Sequence, residues 1–199
     1  MADEGVELLG TECLHEGFIR LVRYRLRHRL HAGGWSPELL RERVEGLGAA
    51  SVLLYDPDRD AIVLVEQFRI GALGSEAGAW ALETVGGFVA PGEPAESVAR
   101  REVREETGLE VLALEPVCEF FVSPGFSTER ISLFCGRVDA RDAGGVHGLP
   151  EEGEDILVRV VPAEDAMRQT GSPPFDSTSL IIGLQWLALN RERIRDQWL

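Results

Sequence analysis

Cysteine is scarce in this chain. Cys13, Cys118 and Cys135 are odd in number and widely spaced, with no C-x-x-C pair. That argues against a disulfide framework and suits free thiols in a reducing compartment. Positive charge is also short. Twenty basic residues face 34 acidic ones, for a net charge of −14. Such a balance argues against nucleic acid or an anionic membrane as a bulk partner. No apolar run approaches the roughly 18 residues that a membrane span needs. The opening MADEGVELLG is acidic, where a secretory signal begins basic and turns apolar. The cytoplasm is therefore the expected location. What remains is ordinary for a globular protein: 199 residues, 44% of them hydrophobic, enough for one domain with a real core and a small appendage.

The stretch from Gly87 to Leu109, GFVAPGEPAESVARREVREETGL, organises the rest. Pro94 suits a first helical turn, and Gly108 suits the left-handed position after a helix, with Leu109 folding back as the hydrophobic contact. Counting roughly 100° per residue from Ala95, the apolar residues Val98, Ala99 and Val103 share one arc. Glu102 falls at roughly 340°, Glu106 at roughly 20° and Glu105 at roughly 280° on the same count. The acids thus sit on or beside the packing face, with no basic residue on that arc. Crowded carboxylates repel, and burying them is costly unless a cation neutralises them. A divalent metal resolves the conflict, and an all-oxygen set favours Mg²⁺ or Mn²⁺ over zinc. The alternative is a solvated acidic helix laced with Glu–Arg pairs.

Upstream, Val22 to Leu30 alternates strictly, with Arg23, Arg25, Arg27 and Arg29 on one side of a predicted strand. Three readings stand for this arginine row. It is a solvated face balanced by nearby acids, a ladder against an acidic partner subunit, or a set of phosphate contacts. Pro37 to Glu45 reads as a short helix or a second strand. His15, His28 and His31 read as structural or exposed. Gly46 to Gly48 reads as a joint, dividing a region 1–47 from a main domain 48–199. Ala49 to Tyr55 and Ala61 to Phe68 form a predicted hairpin around the turn residues Asp56 to Asp60. Further strands are expected over Trp80–Val85, Val111–Val122, Glu129–Val138 and Ile156–Val161. A long acidic loop spans Arg141 to Glu154. A short helix should follow Pro162, and a final one capped by Asp176-Ser177 should bury Leu180, Ile181, Leu184, Leu187 and Ala188. Strands and helices interleave without regular alternation, which predicts an α/β (α+β) fold with a mixed sheet between helices.

The organising stretch resembles the Nudix box, G-x5-E-x7-R-E-U-x-E-E-x-G-U, where U is a bulky aliphatic. Gly87, Glu93, Arg101, Glu102, Val103, Glu105, Glu106, Gly108 and Leu109 fill all nine fixed positions. The resemblance implies an α/β/α sandwich and a Mg²⁺-dependent hydrolase of a nucleoside diphosphate linked to another group. Diphosphate hydrolysis needs charge neutralisation, a positioned water and a base for its proton. Glu102 and Glu106, one turn apart, are the best metal ligands, Glu105 is a further or water-mediated one, and the resemblance adds the Gly86 carbonyl. Glu93 and Arg101 are expected to hold the loop to the helix by a charge-assisted hydrogen bond.

Outside the box the chain is similar to the ADP-ribose pyrophosphatase branch of that family. Pro124 stands 15 residues after Leu109, near that branch's marker proline. The likeness extends through Gly17-Phe18, Leu26 to Leu30, Glu66 to Arg69, Ser127 to Arg130 and His147 to Leu149. It implies an N-terminal strand region exchanged across a homodimer, with ADP-ribose as the small-molecule substrate. By position it makes Glu154 a metal ligand and Glu152 the candidate base. Arg41, Arg69 and Glu129 become substrate contacts, and Phe18 a stacker on adenine. Rival readings are a pyrophosphatase for another nucleotide sugar or NADH, and a non-catalytic ADP-ribose sensor.

Overall fold

The computed structural model describes residues 5–46 and 48–199. The N-terminal tetrapeptide and Leu47, on which the expected 47/48 boundary falls, lie outside the described residues. The chain divides into two compact units, residues 1–48 with 121–130, and residues 49–120 with 131–199. The segment 121–130 joins the first unit across a long sequence gap, which no local pattern announces.

In the first unit, β1 (Val6–Glu16), β2 (Arg20–His28) and β3 (Leu39–Glu45) form an antiparallel sheet. The ambiguous Pro37–Glu45 segment is therefore a strand. The segment after Phe121 folds onto it, with Val44 accepting from Thr128 at 3.1 Å and donating to Phe126 at 2.7 Å. The arginine row is balanced by acids of the flanking segments. Arg23 meets Glu42 at 2.8 Å and Glu12 at 3.2 Å, Arg25 meets Glu38 at 2.8 Å, and Arg27 meets Glu7 at 2.6 Å. Arg29 lies over the Trp35 ring, 4.3 Å from its centroid. Every basic residue of the chain is an arginine, whose planar fork suits such pairing. On the sheet's other face the Tyr24 hydroxyl and the Arg43 guanidinium both donate to Glu45, holding its carboxyl down at about 2.

The second unit is built on a mixed sheet. β4 (Gly48–Asp56) and β5 (Ala61–Phe68) form the expected hairpin. Its turn is fixed by the Asp56 carboxylate, which accepts from the N–H groups of Asp58 and Arg59, both at 3.0 Å. β4 also pairs in parallel with β9 (Arg130–Arg137), which lies beside β8 (Ala113–Phe121). On the other side β5 pairs with β11 (Ile156–Pro162), and β11 with the two-residue β10 (Val146–His147). Past Leu54 and Val63 the hairpin strands part. β6 (Trp80–Glu83) continues on β5, while β7 (Val85–Val89) continues on β4. Between them the buried Thr84 hydroxyl bonds Ser51 at 2.6 Å.

Strand alternation sorts the core into two faces. Leu53, Tyr55, Ile62 and Leu64 pack against α2 (Ala163–Gln169) and α3 (Thr178–Trp198). Val52, Leu54, Val63 and Val65 pack against α1 (Ala95–Thr107) through Val98, Ala99 and Val103. Helices on both faces make the expected α/β/α sandwich. Burying Val98 and Val103 contributes about 1.5–3 kcal/mol each. Two expectations fail here. Ser177 precedes α3 without a side-chain capping bond, because its hydroxyl is buried and unpartnered. Leu180, Leu184 and Leu187 are buried as expected, but Ile181 is only half-buried and Ala188 points to solvent, while Gly183, Ile194 and Trp198 extend the buried stripe of α3. Among the described residues no helix is long and apolar enough to cross a membrane.

Candidate active site

The parting of β4 and β5 delivers β7 alongside α1. Gly86 and Gly87 lie within that strand. The Gly86 N–H donates to Glu106 Oε2 at 3.3 Å. Gly87 is the floor under Glu102. A Cβ added there would meet the Glu102 carboxylate, with Cγ only 2.8 Å away. α1 begins after Pro94 and ends at Gly108, whose φ of 70° is left-handed and whose N–H returns to the Arg104 carbonyl at 3.0 Å.

The acids fall as the helical count predicts. Glu102 is 9% and Glu106 2% exposed, while Glu105 is half-buried. Burial first, then the Glu102 charge and that of Glu154, push the Glu106 carboxyl up to about 8, against the Gly86 N–H and Arg69. Burial also raises Glu102, against the pull of Arg101. Arg101 corrects the sequence reading. It reaches onto the acidic arc, meeting Glu102 Oε1 at 2.8 Å and Glu105 Oε2 at 3.1 Å. Glu93 does not bond it, and accepts the Ala90 N–H at 3.3 Å instead. An i,i+4 partner is closer to hand on a helix than a loop carboxylate.

The acidic loop is more ordered than its composition suggests. It contains β10 and a single 3-10 turn, Pro150–Glu152. Glu152 is exposed on that turn. Glu154 is half-buried and accepts the Leu149 N–H at 2.9 Å. Its charge acts on both Glu102 and Glu106. Among the described residues no three His, Cys, Asp or Glu side chains are gathered so as to hold a metal ion. Glu102 is turned onto Arg101 and Glu154 onto Leu149, and each is held by a bond that a cation would have to displace. The donor set still fits a hard divalent cation: carboxylates and backbone carbonyls, crowded, mostly buried and with one proton retained.

Arg69 donates to Glu83 at 2.7 Å, and its charge lowers Glu106. Glu83 was missed from sequence. The signal was its place beside the buried Leu82, which turns it to the opposite face of β6, the face of Val65 and α1. Three expected substrate contacts belong to the first unit. Phe18, in the turn after β1, is 93% exposed. Arg41 bonds the Leu40 carbonyl at 2.8 Å, and among the described residues it has no carboxylate partner, unlike Arg43. Glu129 takes part in the 121–130 segment, its N–H bonded to Ser127 at 3.1 Å.

The Glu106 shift carries a sign. The folded state keeps this proton up to about pH 8, whereas an unfolded chain loses it near 4.5. Metal-free stability therefore falls as pH rises through that window. We expect chelator-treated protein to melt about 5 °C lower at pH 8.5 than at pH 5.5. Saturating Mg²⁺, which replaces the proton, should remove the fall. Equal melting temperatures without metal would contradict the burial argument. Glu45 and Asp139, both held down at about 2, act below this window.

Comparison with known proteins agrees with this geometry. The model of the NUDIX domain matches residues 47–179. The ADP-ribose pyrophosphatase of Escherichia coli (strain K12) is 45% identical over 97% of this chain and 92% of its own length. That of Haemophilus influenzae is 42% identical over 99% and 92%. The GDP-mannose pyrophosphatase of Cronobacter sakazakii is 32% identical over 92% and 95%. A crystal structure of ADP compounds hydrolase superposes with a TM-score of 0.73, covering 98% of this chain and 96% of that one. At 18% identity that likeness concerns the fold alone. A complete box on a strand and helix that bury Glu102 and Glu106, within a domain match of this span, means that the chain belongs to the NUDIX family.

Proposed function

We propose that the protein hydrolyses the diphosphate bond of ADP-ribose, releasing AMP and ribose 5-phosphate, with Mg²⁺ as cofactor and Mn²⁺ as its substitute. The observation that carries this reading is the buried Glu102–Glu106 pair beside Glu154, in a chain alike end to end to proteins named ADP-ribose pyrophosphatase. Glu102, Glu106, Glu154 and the Gly86 carbonyl would hold the cation. When bound, it neutralises diphosphate charge and lowers the pKa of water.

The chain's own residues do the rest. Arg101 holds Glu102 and Glu105 in place until the site fills. Arg69, braced by Glu83, is assigned to orient a phosphate. Glu152 and Glu105 are the two candidates for the base that takes the water proton. Glu105 is already engaged by Arg101, which supports Glu152. Phe18 is assigned to the adenine ring, and Arg41 and Glu129 to the rest of the substrate. The exposed apolar side chains Val6, Leu8 and Leu40 support a homodimer built through the N-terminal strands. Free Cys13, Cys118 and Cys135 support a cytoplasmic location.

The GDP-mannose relative favours one rival substrate, a nucleotide sugar. A panel of ADP-ribose, GDP-mannose and NADH, each with Mg²⁺ and scored by its products, separates them. We expect ADP-ribose to be preferred at least about tenfold in kcat/KM. Preference for another member would reassign the substrate. Binding of ADP-ribose without cleavage would make the protein a sensor, against its complete box.

A further inference from the structure

The last carbonyls of an α-helix lack partners within it. At the end of α1 one is taken from far along the chain, because the Gly148 N–H donates to the Glu105 carbonyl at 3.3 Å. The residue before it, His147, lies against the helix cap. A Cβ on Gly108 would stand 3.1 Å from its Cε1. The ring cannot swing freely, since Nε2 lies 2.9 Å from the Gly144 carbonyl. A carbonyl only accepts, so Nε2 carries the proton. On its other side the segment grips Glu154. Gly148 has φ +100°, and a Cβ there would come within 2.7 Å of the Glu154 Cβ. The next N–H, of Leu149, donates to the Glu154 carboxylate. Three residues, His147, Gly148 and Leu149, thus join the helix bearing Glu102 and Glu106 to the turn bearing Glu152 and to Glu154 just beyond it.

We propose that His147 is a positioning residue, a clasp that seats the Glu152–Glu154 turn on the end of α1 so that Glu154 completes the cation site. The inference rests on the metal-dependent reading above. β10 stays paired with β11 without the ring, but its tie to the end of α1 is then left to the Gly148 bond.

The test compares wild type with His147→Ala and His147→Gln, whose amide can still donate to Gly144. Mn²⁺ binding is measured by electron paramagnetic resonance, alongside Mg²⁺ half-saturation, kcat and KM for ADP-ribose, and the melting temperature. His147→Ala should weaken Mn²⁺ binding about tenfold and raise Mg²⁺ half-saturation equally. KM at saturating Mg²⁺ should stay within about twofold. His147→Gln should recover most of the loss. A Gly148→Ala variant, which disturbs the same clasp without touching the ring, should weaken Mn²⁺ in the same direction. Wild-type Mn²⁺ affinity in His147→Ala, or equal loss in the alanine and glutamine variants, overturns the proposal. If wild type leaves ADP-ribose intact, the substrate reading fails, and the Mn²⁺ comparison still decides the role of His147.

Discussion

Glu106→Gln is expected to lower turnover about a thousandfold while the protein stays folded. The glutamine keeps the size of the side chain and an oxygen for the Gly86 N–H. What it loses is the charge, and in a site 2% exposed that charge is both the costliest group to bury and the strongest reason to bind a cation. The two consequences therefore have opposite signs. Above pH 8 without metal, the variant should melt at a higher temperature than wild type, because the repulsion with Glu102 and Glu154 is gone. With Mg²⁺ the order should reverse, since only wild type gains from binding. A purely structural carboxylate would give a variant less stable in both conditions. The measurements are kcat at saturating Mg²⁺ and paired melting curves with Mg²⁺ or chelator.

Gly87→Ala should reduce kcat about a hundredfold with a melting temperature within about 2 °C of wild type. The new methyl falls where the Glu102 side chain lies. Carboxylate and methyl cannot share the space, and the carboxylate is the end of a flexible side chain, so it yields. Stability changes little, while a metal ligand is displaced. Restoring the room by shortening that residue, in Gly87→Ala with Glu102→Asp, should recover part of the loss. A hundredfold loss accompanied by unfolding, or no loss at all, would show that Glu102 does not work from this place.

Much of this site is local, which is why it can be read from residue order. Pro94, Gly108 and the period of Val98, Ala99 and Val103 place Glu102 and Glu106 on the packed face of α1, and the structure buries both. The Asp56–Asp60 turn and the alternation of β2 are equally local. Long-range events are not. Nothing near Phe121 says that residues 121–130 fold onto β3, since the bonds are made by Val44, far upstream. The Arg101 side chain has several carboxylates within reach, and residue spacing alone does not choose Glu102 and Glu105 over Glu93. The acidic stretch before Ile156 looks like solvated loop, and it is ordered because Gly148 caps a helix that ended 41 positions earlier, at Thr107. The resemblance named Gly87 and His147 together with the charged residues of the site. What those two touch, Gly87 beneath Glu102 and His147 against Gly108, emerges only when strand and helix are brought together.

The most direct test is a crystal of the protein soaked in Mn²⁺ and measured at the manganese absorption edge. Anomalous density is expected among the carboxylates of Glu102, Glu106 and Glu154, with Glu102 swung away from Arg101. Density elsewhere on the chain, or none there while Glu102 keeps its bond to Arg101, would contradict it.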